Sequence, residues 1–401
     1  FAYRYLNGGV NNEDGWTAWD RYNVGDWLGA YAYDYAKDAT DRGFVPVFTF
    51  YQMLQSISED CLNCTNEAKD DLVTLNDPYA MRAYLEEFKL LMQLIGTGEY
   101  NGRKGIGKTA VVHVDPDLAG YAQQAVLDNS RCYGQCTGQG NDPSLLKAAV
   151  ASTRMPELED LPDTYQGFNW ALLRLRDLYA PNVIMAPHVN SWGTLIDVGR
   201  DRNPNLDVVG LGKLAGEFAA KSGTKLVPAG IKPYEFIFND IDDDDAAAGR
   251  GNWIDRTNLT LPNFHRWELF VKSAVEASGK KAMIWQIPVG NQVYRAMNNT
   301  PGHYQDNKVE YLFGHMDELV DSGIVGLMFG HGQPGSTSHY NRIDDNGPLD
   351  PSPDYFNPEP ITNSDGWGDG SLHTNDKMAD YTDDDGGYLR IQAMQYYQNP
   401  I

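Results

Sequence analysis

The stretch that decides the fold is Thr109–Tyr121, with the sequence TAVVHVDPDLAGY. Its apolar residues run to Val114, and a short apolar run that ends at a breaker predicts a buried strand. Pro116 has no N–H to donate to a sheet, so the strand is expected to end there. Asp115 and Asp117 are therefore expected at the carboxyl end of a buried strand, the end where parallel α/β folds place their chemistry.

The same alternation of a buried strand and a polar end repeats along the chain. Six further strands are predicted at Ala2–Leu6, Phe44–Tyr51, Val183–His188, Phe236–Asp240, Ala282–Ile287 and Ile324–Phe329. Helical segments lie between them, and strands that alternate with helices predict a parallel sheet. No glycine-rich nucleotide-binding motif occurs, which disfavours an open doubly wound sheet. We expect an α/β fold, a TIM-like (β/α) barrel that is distorted and has seven or eight parallel strands.

The organisation of the chain predicts one domain. No internal repeat and no linker of biased composition occurs, so residues 1–401 are expected to form a single (β/α) barrel with long loops at 116–143 and 332–385. The second loop is rich in Gly, Pro, Asp and Asn. A loop of this length is uncommon unless it is functional or stabilised by an ion.

The charge balance limits the partners. The chain has 55 acidic and 32 basic residues, for a formal charge of −23, which argues against nucleic acid or an anionic membrane as partner. No run approaches the roughly 20 apolar residues of a membrane helix. The chain opens on a strand-like segment without a signal peptide, so we expect a mature, processed protein. A neutral substrate, a monomer and no required cofactor are expected.

Four cysteines form two close pairs, Cys61 with Cys64 and Cys132 with Cys136. Both pairs lie in polar loop sequence, which favours two local disulfides and an extracellular, oxidising location. The alternative is a single zinc site with four cysteine ligands.

Two groups of carboxylates are the candidates for chemistry. Asp115 and Asp117 follow one strand, and Asp240 and Asp242 lie at the end of another. Glycoside hydrolysis requires two carboxyl groups, one of which is protonated, and crowded carboxylates push their pKa values apart. The alternative for the first pair is a cap or an ion pair. The Asp run 242–245 is otherwise a solvated surface or a loop that holds a structural calcium ion.

The remaining candidates are aromatic and polar side chains near the strand ends. The chain has 24 Tyr and 9 Trp, and rings in polar loops either stack on sugars or simply pack. A single His at a strand end can likewise bind a ligand or serve the structure. The predicted substrate-binding residues are Trp16, Trp19, Gln52, His113, Tyr121, His188, Asn190, Trp192, Gln286, Asn291 and His331.

Taken together, the strand ends resemble those of a secreted bacterial (β/α)-barrel glycoside hydrolase. The segments that carry the resemblance are HVDPDLAGY, APHVNSWGT, WQIPVGN, GHYQDN and DDDGGYLR. Asp115-Pro116-Asp117 is similar to the carboxylate-Pro-Asp segment of glycoside hydrolase family 6 cellulases, where it lies in the active-site cleft of a distorted barrel with seven parallel strands. Asp115 stands where that family often has the longer Glu.

These observations predict hydrolysis of a polysaccharide, a β-glucan or a related plant or microbial glycan. The expected general acid is Asp115 or Asp117, and the expected partner carboxylate is Asp240 or Asp242. Two alternatives stay open. One is a barrel that binds glycans without cleaving them. The other is a calcium-dependent polysaccharide lyase, which would need an acidic substrate that the net charge disfavours.

Overall fold

The computed structural model of the chain describes residues 1–20, 27–56, 58, 61, 64, 66–241, 254–287, 308–330 and 388–401. The chain divides into two compact units. The first comprises Phe1–Leu195, Lys213–Phe238 and Ala274–Lys280, and the second comprises Ile196–Gly212, Asn239–Ser273 and Lys281–Ile401. A single domain over the whole chain stays a prediction.

The first unit is built on a four-stranded parallel sheet. Its strands, in spatial order, are β1 (Ala2–Leu6), β2 (Pro46–Phe50), β5 (Ala110–Val114) and β6 (Val183–Pro187), and a separate hairpin consists of β3 (Glu99–Tyr100) and β4 (Arg103–Lys104). Every residue of β2 and β5 is buried, as is typical of parallel strands with both faces covered. Phe50 pairs with Val114, so β2 and β5 end side by side. The residues that follow these two strands are therefore neighbours.

Among the described residues, five α-helices belong wholly to the first unit. They are α1 (Ala30–Asp41), α2 (Glu67–Thr74), α3 (Pro78–Ile95), α4 (Pro116–Leu127) and α5 (Tyr165–Tyr179). In α3 the carboxylate of Asp77 accepts from the backbone N–H groups of Tyr79 and Ala80, and Pro78 occupies the first turn. The buried side of α3 includes Tyr84 and Phe88. Full burial of a side chain the size of phenylalanine stabilises the fold by about 1.5–3 kcal/mol.

Helix α4 corrects the prediction of a loop at 116–143. Pro116 was interpreted only as the end of a strand, but proline also fits the first position of a helix because the N–H that it lacks has no partner there. Leu118, Ala122 and Ala125 then recur at helical spacing and are buried. Asp117 therefore lies in the first turn of a helix. The other predicted long loop, 332–385, lies outside the described residues.

The second unit contains a parallel pair, β8 (Ala282–Ile287) and β9 (Ile324–Phe329), and the last two residues of β7 (Ile237–Asp240). The residues of α6 (Val208–Ala219) and α7 (Phe264–Ser278) are divided between the units, and α8 (Val309–Gly314), α9 (Met316–Asp321) and α10 (Tyr388–Tyr396) belong to the second. His315 separates α8 from α9, since it ends the first helix and precedes the second.

The prediction of an α/β fold with parallel sheets is confirmed, and all seven predicted strands are present to within about two residues. A closed barrel stays a prediction. Cys61–Cys64 and Cys132–Cys136 form disulfides, as predicted. Within the described ranges, no helix combines the length and the apolar character needed to cross a membrane.

Candidate active site

Asp115 follows β5, but its carboxylate is turned into the protein. Oδ1 accepts from the backbone N–H groups of Gln52 and Met53, both at 3.0 Å, and Oδ2 accepts from the hydroxyl of Tyr84. The residue is only 2% exposed. Burial raises the pKa of Asp115 to about 6, although the hydrogen bonds from Tyr84, Met53 and Gln52 oppose this shift. This buried carboxylate thus links β5 to the segment after β2, and its predicted catalytic role stays a prediction.

Asp117 and Glu67 converge on a single phenol. Tyr51 directly follows β2, and its hydroxyl lies 2.9 Å from Oδ2 of Asp117 in α4 and 3.0 Å from Oε1 of Glu67 in α2. All three side chains are half-buried. They come from positions up to 66 residues apart, and the pairing of β2 with β5 brings them together.

The contact determines how the single hydrogen of the Tyr51 phenol is shared. A phenol has one hydrogen to donate, and an ionised carboxylate can only accept. Burial, followed by the charges of Asp117 and Glu67, raises the pKa of Tyr51, so the phenol keeps its hydrogen. Asp117 and Glu67 therefore share a single phenolic hydrogen between them.

Asp71 lies behind this cluster, one helical turn after Glu67 on α2. It is 1% exposed, and among the described residues its Oδ1 has no hydrogen-bond partner. Burial is the largest cause that raises its pKa well above the ordinary value, and the negative charges of Asp115, Glu67 and Asp117 add to the effect. Burial and the neighbouring negative charges therefore both favour the protonated form of Asp71.

Sequence reasoning missed both Glu67 and Asp71 because it did not identify α2. The stretch EAKDDLVT has little apolar periodicity, and its start signal is Asn66, whose Oδ1 accepts from the N–H of Lys69 at 3.0 Å. An asparagine cap followed by carboxylates four residues apart could have indicated this helix.

An aromatic surface lies one turn further along α4. Tyr121 occupies the position four residues after Asp117, and its ring centroid lies 5.0 Å from that of Trp192. The indole packs over Gly120, where a Cβ would lie 2.2 Å from Cη2 of Trp192. Tyr121 and Trp192 were both predicted to bind substrate, and the structure brings them together beside the carboxylates.

Three residues predicted at the ends of β1 and β2 have other surroundings. Trp16 is fully buried and packs edge-on against Phe50, with ring centroids 6.2 Å apart. Gln52 is also fully buried, and its side-chain amide donates to the carbonyl of Leu6 at 2.8 Å. Neither can contact a ligand at the surface, so both predictions are corrected to core positions. Trp19 is half-buried, and its indole N–H donates to a backbone carbonyl at 2.8 Å.

His113, His188 and Asn190 lie in the interior as well. Nε2 of His113 lies 3.0 Å from Nδ1 of His188, and burial followed by the charge of His188 lowers the pKa of His113 well below its usual value. Among the described residues, Oδ1 of Asn190 and Oγ of Ser222 have no hydrogen-bond partner, and both residues line a cavity of about 10 Å³. A volume near 10–15 Å³ holds about one water. His188 and Asn190 thus line a water-sized cavity, and sugar binding by His113, His188 and Asn190 stays a prediction.

The other predicted residues lie in the second unit or outside the described residues. Asp240 is half-buried at the end of β7, and Gln286 is buried in β8 with a φ of 53°. Three predicted residues, Asp242, Asn291 and His331, lie outside the described residues, as does the Asp run 242–245. A catalytic pair that combines Asp117 with Asp240 or Asp242 stays a prediction.

In the described part of the chain, one group of three side chains has the composition of a metal site. Ligand atoms of His265, Glu268 and Glu318 all lie within 4.8 Å of one another in the second unit. Burial raises the pKa of Glu268 to about 7, and Tyr311 donates a hydrogen bond to its carboxylate at 3.1 Å. Calcium prefers oxygen ligands alone, so this set suits a transition metal better. The predicted structural calcium stays a prediction.

No protein-family model matches the chain, and no curated protein does. Among solved structures, the chain is similar to the cellobiohydrolase Cel6A from Humicola insolens, with 13% identity, a TM-score of 0.37, and coverage of 73% of this chain and 64% of that one. A glucosidase from Croceicoccus marinus gives 11% identity, a TM-score of 0.35, and coverage of 82% and 50%.

A β-galactosidase from the haloarchaeon Halorubrum lacusprofundi gives 9% identity, a TM-score of 0.36, and coverage of 83% and 50%. The chain thus spans 50% to 64% of the length of these three proteins. All three carry the names of glycosidases, but similarities this low establish neither a shared fold nor a shared activity.

Proposed function

We propose that this chain is a secreted glycoside hydrolase that cleaves a polysaccharide, a β-glucan or a related plant or microbial glycan. The observation that supports this proposal is the single phenol of Tyr51 shared between Asp117 and Glu67, at 2.9 and 3.0 Å. Hydrolysis of a glycosidic bond needs a carboxyl group that stays protonated until it meets the leaving oxygen. Two carboxyl groups with one phenolic hydrogen between them favour that protonation state.

Asp117 is the general acid in this proposal. It lies in the first turn of α4, and it is more exposed than Asp71 and Asp115. Tyr51 holds it by a hydrogen bond, and proton transfer by a positioned acid contributes about 10²–10⁴-fold to a rate. The second carboxyl group is Glu67 in the same cluster, or Asp240 or Asp242 as the sequence predicts.

Tyr121 and Trp192 form the sugar-binding surface in this proposal. Both rings are half-buried, and a ring face gives apolar contact to a sugar without requiring charge. The formal charge of −23 agrees with a neutral glycan and opposes an acidic one. These features support binding of a neutral sugar chain next to Asp117.

The test is a panel of soluble and insoluble polysaccharides, with release of reducing sugar measured with and without a chelator. The wild-type chain is compared with Asp117→Asn and with Glu99→Gln, an exposed carboxylate in the β3–β4 hairpin. We expect D117N to lose at least about 100-fold in kcat while it retains glycan binding, because asparagine cannot donate an acid proton. E99Q should match the wild type.

Other outcomes would identify the alternatives. Binding of glycans without any hydrolysis by the wild type would overturn the proposal in favour of a binding protein. Unsaturated products that disappear with chelation would indicate a lyase. Loss of activity in E67Q but not in D240N would identify Glu67 as the second carboxyl group, and the opposite result would identify Asp240.

A further inference from the structure

Helix α2 carries two of the clustered carboxyl groups but is too short to hold its own position. It spans eight residues, Glu67–Thr74, whereas isolated helices shorter than about 12–15 residues are marginal in water. The positions of Glu67 and Asp71 therefore depend on what contacts α2 from outside.

The disulfide loop Cys132–Cys136 contacts both ends of α2. At the start, the hydroxyl of Tyr133 donates to Oδ1 of Asn66, the same atom that caps the helix. The distance is 3.2 Å. At the far end, Oε1 of Gln135 accepts from Nδ2 of Asn76 at 3.0 Å, two residues beyond the last helical residue. Two side chains of one short loop, two residues apart in sequence, thus hold α2 at its two termini.

The loop itself is well fixed. The disulfide joins residues whose Cα atoms are 5.8 Å apart, and within it the N–H of Gln135 donates to the carbonyl of Cys132 at 2.9 Å. Gly134 has a φ of 82°, a left-handed conformation that glycine adopts without strain. Sγ of Cys136 also lies 3.4 Å from the carbonyl oxygen of Ala125 in α4. The loop therefore connects α2 with the helix that carries Asp117.

We infer that the Cys132–Cys136 loop is a clamp that holds α2 against α4, with Tyr133 and Gln135 as positioning residues for Glu67 and Asp71. The catalytic consequence rests on the proposed function, whereas the clamp itself does not. Without the clamp, Glu67 would lose its fixed distance to Tyr51. The value of kcat would then fall, while the binding of substrate would stay unchanged.

Hydrogen exchange of the α2 amides tests the clamp directly. The variants are Gln135→Ala, Tyr133→Phe and their combination. The controls are Gln139→Ala, whose amide bonds to the carbonyl of Leu127 instead of α2, and Tyr79→Phe, which is 84% exposed. We expect exchange over residues 70–75 to be about 25-fold faster in the double variant, since each of the two lost hydrogen bonds contributes roughly a factor of five. Peptides from β2 and β5 should be unchanged, and the controls should match the wild type.

A second measurement separates positioning from simple stability. In activity assays, Q135A should lower kcat several-fold with KM unchanged. Gln135→Glu retains an oxygen acceptor for Asn76 and should keep most of the activity. The variant Cys132→Ala with Cys136→Ala lacks the disulfide, and it should accelerate amide exchange in α2 more than Q135A or Q135E does. If that variant does not fold, the loop variants still decide the question.

The clamp is overturned if exchange over α2 does not change, or if it rises equally in β2 and β5, which would show general destabilisation. It is also overturned if Q135E behaves like Q135A in both measurements. If the wild type hydrolyses no glycan, the proposed function fails by itself, and the exchange data still decide whether the clamp exists.

Discussion

Asp115 and Asp117 are two residues apart and lie in opposite environments. Asp115 ends the buried strand β5, with a φ of 28° that turns its side chain toward β2, and three hydrogen bonds occupy its carboxylate. Asp117 is half-buried in the first turn of α4 and shares a phenol with Glu67. The junction between strand and helix thus places two identical groups in different surroundings, one fully buried and the other open to part of the solvent.

The largest expected difference between Asp115 and Asp117 is in how much each stabilises the folded state. Asp115→Ala would leave two backbone N–H groups and the hydroxyl of Tyr84 without acceptors in the interior, where each lost partner costs about 1–3 kcal/mol. We expect D115A to lower the free energy of unfolding by about 3–5 kcal/mol, and Asp117→Ala to lower it by less than about 1 kcal/mol. Urea denaturation at neutral pH measures both. Equal losses of unfolding free energy in D115A and D117A would contradict the difference between the two residues.

The second expected difference is in the pH dependence of stability. The pKa of Asp115 is raised from 3.8 to about 6 in the folded protein, so the folded state binds this proton more tightly than the unfolded state does. Its contribution is fully present below about pH 4 and is lost as the pH rises through about 6, which amounts to roughly 3 kcal/mol at 1.36 kcal/mol per pKa unit.

Asp115→Asn lacks this proton and serves as the reference. We expect the unfolding free energy of the wild type to fall by about 3 kcal/mol relative to D115N between pH 4 and pH 7. A difference between the two proteins that is independent of pH would contradict the raised pKa. Asp117→Asn is the matched control, because it makes the same substitution at the half-buried carboxylate two residues away.

A smaller effect is expected from the shared phenol. Tyr51→Phe keeps the ring but removes the only hydrogen between Asp117 and Glu67, so the two carboxyl groups lose their common partner. On a hydrolysed glycan, we expect kcat to fall about 10-fold, or about 1.4 kcal/mol, with KM nearly unchanged. Y79F should be silent. An unchanged kcat in Y51F would place the shared phenol outside the chemistry.

The smallest effect is expected at the aromatic surface. Trp192→Ala removes a ring that lies against Tyr121, and an aromatic contact of this kind contributes about 0.5–1.5 kcal/mol. We expect KM to rise about 2- to 10-fold with a smaller change in kcat. Trp192→Phe should recover most of the affinity. If W192A lowered kcat more than it raised KM, the ring would belong with the carboxylates and not with binding.

The elements that could be predicted are those whose signals are local. Helix α3 follows from Asp77-Pro78 and a strong apolar period, and β5 follows from an unbroken apolar run. Helix α4 was missed because a proline after a strand can end one element or begin the next, and the local sequence does not distinguish these cases.

The candidate site was predicted only in part. The residues that were missed are far from Asp117 in sequence. Asp117 was identified because it follows a strand, but its neighbours Glu67 and Asp71 lie about fifty residues earlier on a helix with little periodicity. Burial also could not be inferred from residue type. Trp16 and His113 have the side chains of ligand-binding residues, yet both are fully buried.

Trp192 can pack against α4 only because Gly120 has no side chain. Exchanging a mid-helix glycine for alanine ordinarily stabilises a protein by up to about 1 kcal/mol. Here the added methyl group would collide with the indole of Trp192. A routine thermostabilising substitution at this position would therefore displace the indole of Trp192, and with it the proposed sugar-binding surface.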